Sequence, residues 1–446
     1  MMRIGMDFGT TNSGIAVYDG QRLNVLKLDP VASGNVMRSV IYLTREHELH
    51  VGQEAIRLYN EQNINRERRL VNKVVGRVAM TFAEVGTIHT DVTISVDMAE
   101  PGKLMRSMKS VLATPYTSTK LYGHEYTLED LIALYLRRAR ENAEAILDAP
   151  IREVVLGRPV HFVAAETDED DQRAENRLRK AAQLAGFEDI SFEFEPVAAA
   201  RHYAQSITEP QTILVYDFGG GTLDLTVMRI EPGKTPTILS IGGVGIAGDR
   251  FDQRIVENAL LPHFGSTLTW GEKKLPVPRS LIEQVTAWEG LAGLANLETR
   301  AFLHRMQAES ANPVRLYALE SLIFNFYGFA LFEAVEASKR RLSDSPFDVI
   351  RFIGTEIDIW HLLTRTQFEN FAMTEWRKIR QAITDTVERS GLTPDQIDAV
   401  VRTGGSSSIP FGLTMLGEMF EPDKIVEEDL FTGVTAGLAL CAWDRC

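Results

Sequence analysis

The sequence predicts an α/β protein made of two related halves, with a helical segment inserted in the second. Three observations lead there. Apolar runs of strand length alternate with helical patterns along most of the 446 residues. One hairpin pattern, strand-Asp-Phe-Gly-turn-strand, occurs twice. The region from about Leu260 to Leu342 carries long helical patterns and few strand candidates.

The elements follow in order. In "IGMDFGTTNSGIAVY", Ile4, Met6 and Phe8, then Ile15 and Val17, alternate as two half-buried strands around a turn. A strand is expected over Ser39–Leu43, a helix near Gln53–Asn63, and then a strongly polar stretch, "NINRERRLVNK", without a catalytic pattern. The strand "DVTISVD" and the segment "RSMKSVL" precede a well-marked helix opening at "YTLEDL", with Thr127 as N-cap, Glu129 and Asp130 in the first turn, and Leu128, Leu131, Ile132 and Tyr135 at helical spacing. "EVVLGRPVHF" reads as a buried strand, about Asp170–Ala185 as a helix stopped by Gly186, "ISFEF" as a strand, then a helix from Pro196 and a strand Thr212–Asp217. Strand patterns return at "VIRFIGTEIDIW", one long helix is expected over about Gln367–Ser390, "IDAVVRTGGSSSIP" runs from strand into a Gly-Ser loop, and a last helix covers about Thr432–Trp443.

Lys and Arg number 47 against 61 Asp and Glu, a net charge of −14, so the surface repels nucleic acid and anionic membranes. The two cysteines, Cys441 and Cys446, fit a reducing compartment and supply no disulfide framework. No apolar run approaches the roughly 18 residues of a membrane span. A cytoplasmic protein with neither nucleic-acid nor membrane partners is expected.

"MDFGTTNSGIAV" and "YDFGGGTLDLTV" place an aspartate at the end of an apolar strand, then Phe, Gly, small or polar positions and an alternating strand; Asp7 and Asp217 lie 217 − 7 = 210 residues apart. Two such loops facing each other would grip a polyphosphate, with backbone N–H groups and the Thr10, Thr11 and Thr222 hydroxyls as donors. Asp7, Asp217 and Asp224 would hold hydrated Mg²⁺, which prefers carboxylates plus phosphate oxygens and keeps several waters.

These loops resemble the phosphate loops of the heat-shock protein 70 family and its actin-like and sugar-kinase relatives, with "DFGTTNS" closest to the heat-shock branch. "EPVAAARHY", "AGDRFD", "EASKRRLS" and "TGGSSSIP" are similar, in order, to further family segments. The resemblance implies two actin-like, ribonuclease H-like lobes around a central nucleotide cleft. Residues 1–207 would form the first, with an insertion at about 59–115. Residues 208–446 would form the second, with a helical subdomain at about 260–345 and an adenosine loop at 403–410. It stops at Cys446, so the chain resembles the short, YegD-type members made of the nucleotide-binding domain alone, and a β-sandwich for client peptides is not expected.

The resemblance also implies roles. Gly9, Thr10, Thr11, Asn12, Gly219, Gly220, Gly221 and Thr222 contact phosphates, joined by Gly248 and Asp249, while Asp7, Asp217 and Asp224 organise Mg²⁺ and the attacking water. Glu195 matches the carboxylate that orients this water, although a helix N-terminus with Pro196 in its first turn would favour an acid there unaided. Glu336, Lys339, Arg340 and Ser343 share one helix face and match the adenosine helix, partnered by Gly404, Gly405 and Ser406. Ala247 replaces a family glycine before "GDRFD", and Ser408 stands where the chaperones carry an arginine near the base. The family lysine sits in Lys-x-x-x-Gly, and neither Lys73 in "NKVVGR" nor Lys109 in "SMKSVLA" keeps that spacing; position before "KLYGHEYTLEDL" favours Lys109. The expected function is a slow, Mg²⁺-dependent ATPase acting as a nucleotide switch with an unidentified protein partner. A non-hydrolysing nucleotide sensor and a small-molecule kinase are the alternatives.

Overall fold

The computed structural model describes residues 3–32, 34–82, 86–427 and 432–445. Cys446 lies outside the described residues, as do positions 83–85 of the expected insertion. Contacts divide the chain into two units, Met1–Tyr59 with Lys103–Phe251 and Ala372–Cys446, and Asn60–Gly102 with Asp252–Phe371. Residues 60–102 therefore cluster with the helical segment of the second half, a grouping that sequence order does not display.

The first unit holds two sheets of matching topology. In one, the strand order is Asp189–Phe194, Glu153–Arg158, Arg3–Phe8, Asn12–Tyr18, Leu23–Val25; in the other it is Ile425–Glu427, Ala399–Thr403, Gln211–Phe218, Leu223–Ile230, Thr237–Val244. Each centres on an Asp-Phe-Gly hairpin, with Asp7 opposite Gly14 and Asp217 opposite Asp224, and each hairpin strand that ends in Asp-Phe pairs in parallel with the strand on its other side. The repeat in the sequence is thus a repeat of sheet topology.

Two helices pack between these sheets. Glu195–Tyr203 and Gly433–Asp444 are lined by Val197, Ala198, Ala199, Val434 and Leu438, against Val155, Ile213, Val215 and Val401. A Cβ on Gly437 would stand 1.8 Å from the Ala198 carbonyl oxygen, and one on Gly5 would stand 2.2 Å from the Ala439 nitrogen, so helix and sheet approach to backbone contact. The other face of the first sheet is covered by helices Leu128–Leu147 and Asp168–Leu184. Both open on capping boxes, Thr127 with Asp130 and Thr167 with Asp170.

Two local expectations need correction, and one element was not read. The strand from Glu153 ends at Arg158 because Pro159 has no N–H to continue the ladder. The long helix over 367–390 is two, Arg365–Phe371 and Met373–Arg389, broken at Ala372 with φ −98° and ψ 7°. "LVNK" is not loop. It starts the strand Leu70–Phe82, which pairs with Gly86–Asp97 as a long antiparallel ribbon.

In the second unit this ribbon is fastened at its base. Arg66 donates to Asp97 at 2.6 Å, and the guanidinium groups of Arg66 and Arg68 cover the Phe326 ring at 4.5 and 3.6 Å. Helices Leu297–Glu309, Val314–Phe324 and Gly328–Asp344 form the body, with the hairpin Phe347–Gly354 and Ile357–Thr364. Among the described residues no single helix is long and apolar enough to cross a membrane.

Candidate functional site

The two hairpin turns of the first unit meet. A Cβ on Gly220 would lie 2.2 Å from the Thr11 hydroxyl oxygen, so a side chain there would displace Thr11, and the Gly221 Cα region lies in ordinary contact with the Thr10 methyl, 3.7 Å from where a Cβ would stand. Gly9 is needed for its own turn, where a Cβ would lie 2.2 Å from the Asn12 carbonyl oxygen. The first loop is held from behind by Ser39, whose N–H donates to Thr11 O at 2.8 Å.

The second loop is held at both sides. The N–H groups of Gly248 and Asp249 donate to the carbonyls of Gly219 and Gly220 at 3.2 and 2.8 Å. The Ser406 hydroxyl donates to Gly219 O at 2.6 Å. Gly404, at φ +80°, comes so near the hairpin that a Cβ would stand 2.5 Å from the Phe218 carbonyl and 2.8 Å from Asp217 Oδ1, and Gly405 opens the short turn that follows. The carbonyls of Gly219 and Gly220 are thereby occupied by the protein.

Below the loops, acidic groups collect around one lysine. Lys109 sits on the 3₁₀ turn Met108–Val111 and donates to Glu195, the first residue of its helix, with both side chains largely buried. The Thr222 hydroxyl donates to Asp224 at 2.7 Å. Desolvation by the surrounding protein, with repulsion from Glu195, pushes the Asp7 carboxyl up to about 7 against the pull of Lys109. Desolvation likewise pushes Asp224 up to about 6, and raises Asp217 well above the usual range with Asp224, Glu195 and Asp7 adding to it. Burial works to lower the Lys109 pKa, but Glu195 and Asp7 outweigh it and the net direction is upward.

This donor set suits a hard divalent cation. It supplies several carboxylate oxygens with excess negative charge. Among the described residues no three His, Cys, Asp or Glu groups converge closely enough to bind one metal ion alone. A cation here would complete its shell with water and ligand oxygens, the habit of Mg²⁺ and not of a closed structural site.

Of the two lysines weighed from the sequence, Lys109 is buried against Glu195, whereas Lys73 is exposed on the ribbon of the second unit. The helix Gly328–Asp344 also belongs to the second unit. There Lys339 is buried and donates to Asp252 at 2.9 Å; Arg340 is exposed, Glu336 and Ser343 are half-buried, and the Ser343 carbonyl accepts from Arg365 at 3.1 Å. The four do not present one uniform polar face.

Three residues escaped the sequence reading. Arg106 pairs with Asp249 at 3.7 Å. Arg177 reaches from the helix Asp168–Leu184 to the segment after Lys109, donating to the carbonyls of Leu112 and Thr114 at 3.1 Å and of Tyr116 at 2.6 Å, and bonds Glu129 at 3.2 Å. Arg173 donates to the Ala113 carbonyl beside it. Arg106 lies in the quoted "RSMKSVL", but nothing local distinguishes Arg177 from a surface arginine.

Comparison with known proteins agrees with this geometry. The family model described as "Hsp70 protein" matches residues 3–268 and 329–442. The chain is 26% identical over 445 residues to "Chaperone protein dnaK1" of Nostoc sp. and 25% identical over 443 residues to "Chaperone protein DnaK" of Thermotoga neapolitana, with 98% of this chain covered in each case and 54% and 58% of those proteins. "Chaperone protein DnaK" of Trichormus variabilis matches at 26% over 445 residues, with 98% of this chain and 54% of that protein covered. The chain spans about half the length of the curated relatives it matches. With both Asp-Phe-Gly hairpins and the 404–406 loop inside the matched residues, the chain belongs to the Hsp70 protein family.

Proposed function

We propose that this chain binds ATP with Mg²⁺ at the two facing hairpin loops and hydrolyses it slowly, as a nucleotide-driven switch for a protein partner. The observation that carries this reading is the meeting of Gly220 and Gly221 with Thr10 and Thr11, together with a Lys109–Glu195 pair whose charges act on Asp7 at the end of the first hairpin strand. The two matching sheets are then the cores of two actin-like lobes, divided near residues 207 and 208, with the helical part at about 260–345 as a subdomain of the second.

The roles follow from the chemistry of each group. N–H groups of the Gly9 to Asn12 turn and of Gly220 and Gly221, with the Thr10 and Thr11 hydroxyls, bind the phosphate oxygens, while the Thr222 hydroxyl orients the Asp224 carboxylate beside them. Asp7, Asp217 and Asp224 hold hydrated Mg²⁺, which neutralises charge on the phosphate chain when bound. Lys109 puts a fixed positive charge beside the transferring phosphoryl group, where preorganised charge is effective. Glu195 keeps that ammonium charged and oriented and accepts a hydrogen bond from the attacking water. Gly404, Gly405 and Ser406, beside the second hairpin, take the nucleoside end. Single-turnover hydrolysis of ATP by the purified protein, with and without Mg²⁺, tests the proposal, and absence of both binding and hydrolysis refutes it.

One observation favours a second reading, a sensor that binds ATP without useful turnover. Lys109 and Glu195 are already engaged with each other. Binding without phosphate release in the same experiment selects it.

A further inference from the structure

The hairpin Phe347–Gly354 and Ile357–Thr364 in the second unit is apolar on both faces. Its inner face, Ile350, Phe352, Ile357, Ile359 and Leu363, is buried in the unit. On the outer face the register sets Phe347 opposite Thr364, Val349 opposite Leu362, Arg351 opposite Trp360 and Ile353 opposite Asp358. Phe347, Trp360 and Leu362 are each 57% exposed, Ile353 54% and Val349 39%. Single exposed apolar side chains are ordinary; five in register on one small sheet are a patch on the order of 500 Å², taking an aromatic side chain as about 200 Å². That is at the upper end of the ~300–600 Å² found as the largest patch on a monomer.

The face is preformed. Arg341 grips Asp348 through two hydrogen bonds of 2.9 and 2.8 Å, Ser338 donates to the same carboxylate at 2.6 Å, and Arg365 donates to the Leu342 carbonyl at 2.8 Å, so both strands are tied to the helix Gly328–Asp344. Docking on it would cost little ordering entropy.

We infer that this outer face is where a second copy of the chain docks. The argument is charge complementarity. The face carries one cation, Arg351, whose guanidinium stands 4.3 Å from the Trp360 ring centroid, and one anion, Asp358. Among the described residues neither forms an ion pair within its own chain. A two-fold contact needs a self-complementary surface, and here Arg351 of each copy can meet Asp358 of the other while the apolar side chains interdigitate. The whole chain carries −14, so two copies repel except where they meet through a face of zero net charge. About 500 Å² from each copy falls at the low end of specific interfaces, which implies a dimer of roughly micromolar to tens of micromolar stability.

Sedimentation velocity of the 446-residue chain from about 1 to about 200 µM tests this. The expected result is a monomer–dimer equilibrium that weakens at least about tenfold in Trp360→Ser and in Leu362→Ser, both exposed and harmless to folding, which a melting curve verifies. Arg351→Glu and Asp358→Arg should each weaken it, and the two together should restore it. A chain still monomeric at the highest concentration overturns the inference and gives the face to a different protein. A dimer that ignores all four substitutions, or charge reversals that fail to compensate, overturns it as well.

Discussion

The ammonium of Lys109 donates to the carboxylate of Glu195, which lies 86 residues further along the chain at the start of a different helix. Neither residue is buried with an unmatched charge, and each prepares the other. Lys109→Ala is expected to lower ATP turnover by about 10²-fold or more, at least about 2.7 kcal/mol of transition-state stabilisation, with a much smaller change in nucleotide affinity. Lys73→Ala is expected to be nearly silent. Steady-state turnover with nucleotide titration checks both, and the reverse ranking would move the catalytic role to Lys73.

The Lys109 turn depends on Arg177, which holds three carbonyls of the segment that follows it. Arg177→Ala should lower turnover roughly tenfold while leaving nucleotide affinity near its original value, since the loops proposed to bind phosphate are untouched. Arg177→Lys should not rescue it, because an ammonium lacks the planar fork that reaches several acceptors at once. Full rescue by lysine would show that charge alone matters.

Removal of the cation should be visible in stability. The acidic recess formed by Asp7, Asp217, Asp224 and Glu195 has an excess of carboxylates around Lys109. Mg²⁺ with ATP at ~100 times its dissociation constant should stabilise the protein by about 2.7 kcal/mol, and chelation should reverse the gain. A melting temperature unaffected by millimolar Mg-ATP refutes the nucleotide reading.

A pH effect follows from Asp348. The hydrogen bonds from Arg341, aided by Ser338, hold its carboxyl below the ordinary carboxylate range. A carboxyl depressed in the folded state adds stability above its unfolded pKa of about 3.9 and loses it as pH falls through the folded value. Asp348→Asn should therefore be less stable than the parent at pH 7, and the difference should shrink steadily below about pH 4. Urea denaturation at several pH values measures this; a difference that grows on acidification would contradict the assignment.

Gly437 tests the packing of the two central helices. A methyl there would overlap the Ala198 carbonyl oxygen, a backbone atom with nowhere to move. Gly437→Ala should destabilise the fold by about 3 kcal/mol or more, despite alanine's better helix propensity. Calorimetry that shows a gain would mean the helices separate without cost.

The sequence by itself determined whatever is local in cause. Thr127 and Thr167 cap helices because their hydroxyls and the Asp130 and Asp170 carboxylates lie within one turn. The two Asp-Phe-Gly hairpins are legible because alternation and small turn residues are short-range signals, and their duplication pointed to two related halves, while the shared strand order of the two sheets is seen only in the fold. The ribbon from Leu70 was hidden twice over. It starts in a charged run, and a shift in register between Val74 and Gly76 breaks its period-two pattern. Tertiary structure alone decided that Lys109 meets Glu195, that Lys339 is engaged by Asp252, and that Arg177 braces the segment after Lys109. It also decided the break at Ala372, which separates Phe368, buried in one unit, from Trp376, buried in the other. In each case the partner is distant in sequence, and a side chain's local pattern states its chemistry and secondary structure but not which far-off group will desolvate or neutralise it.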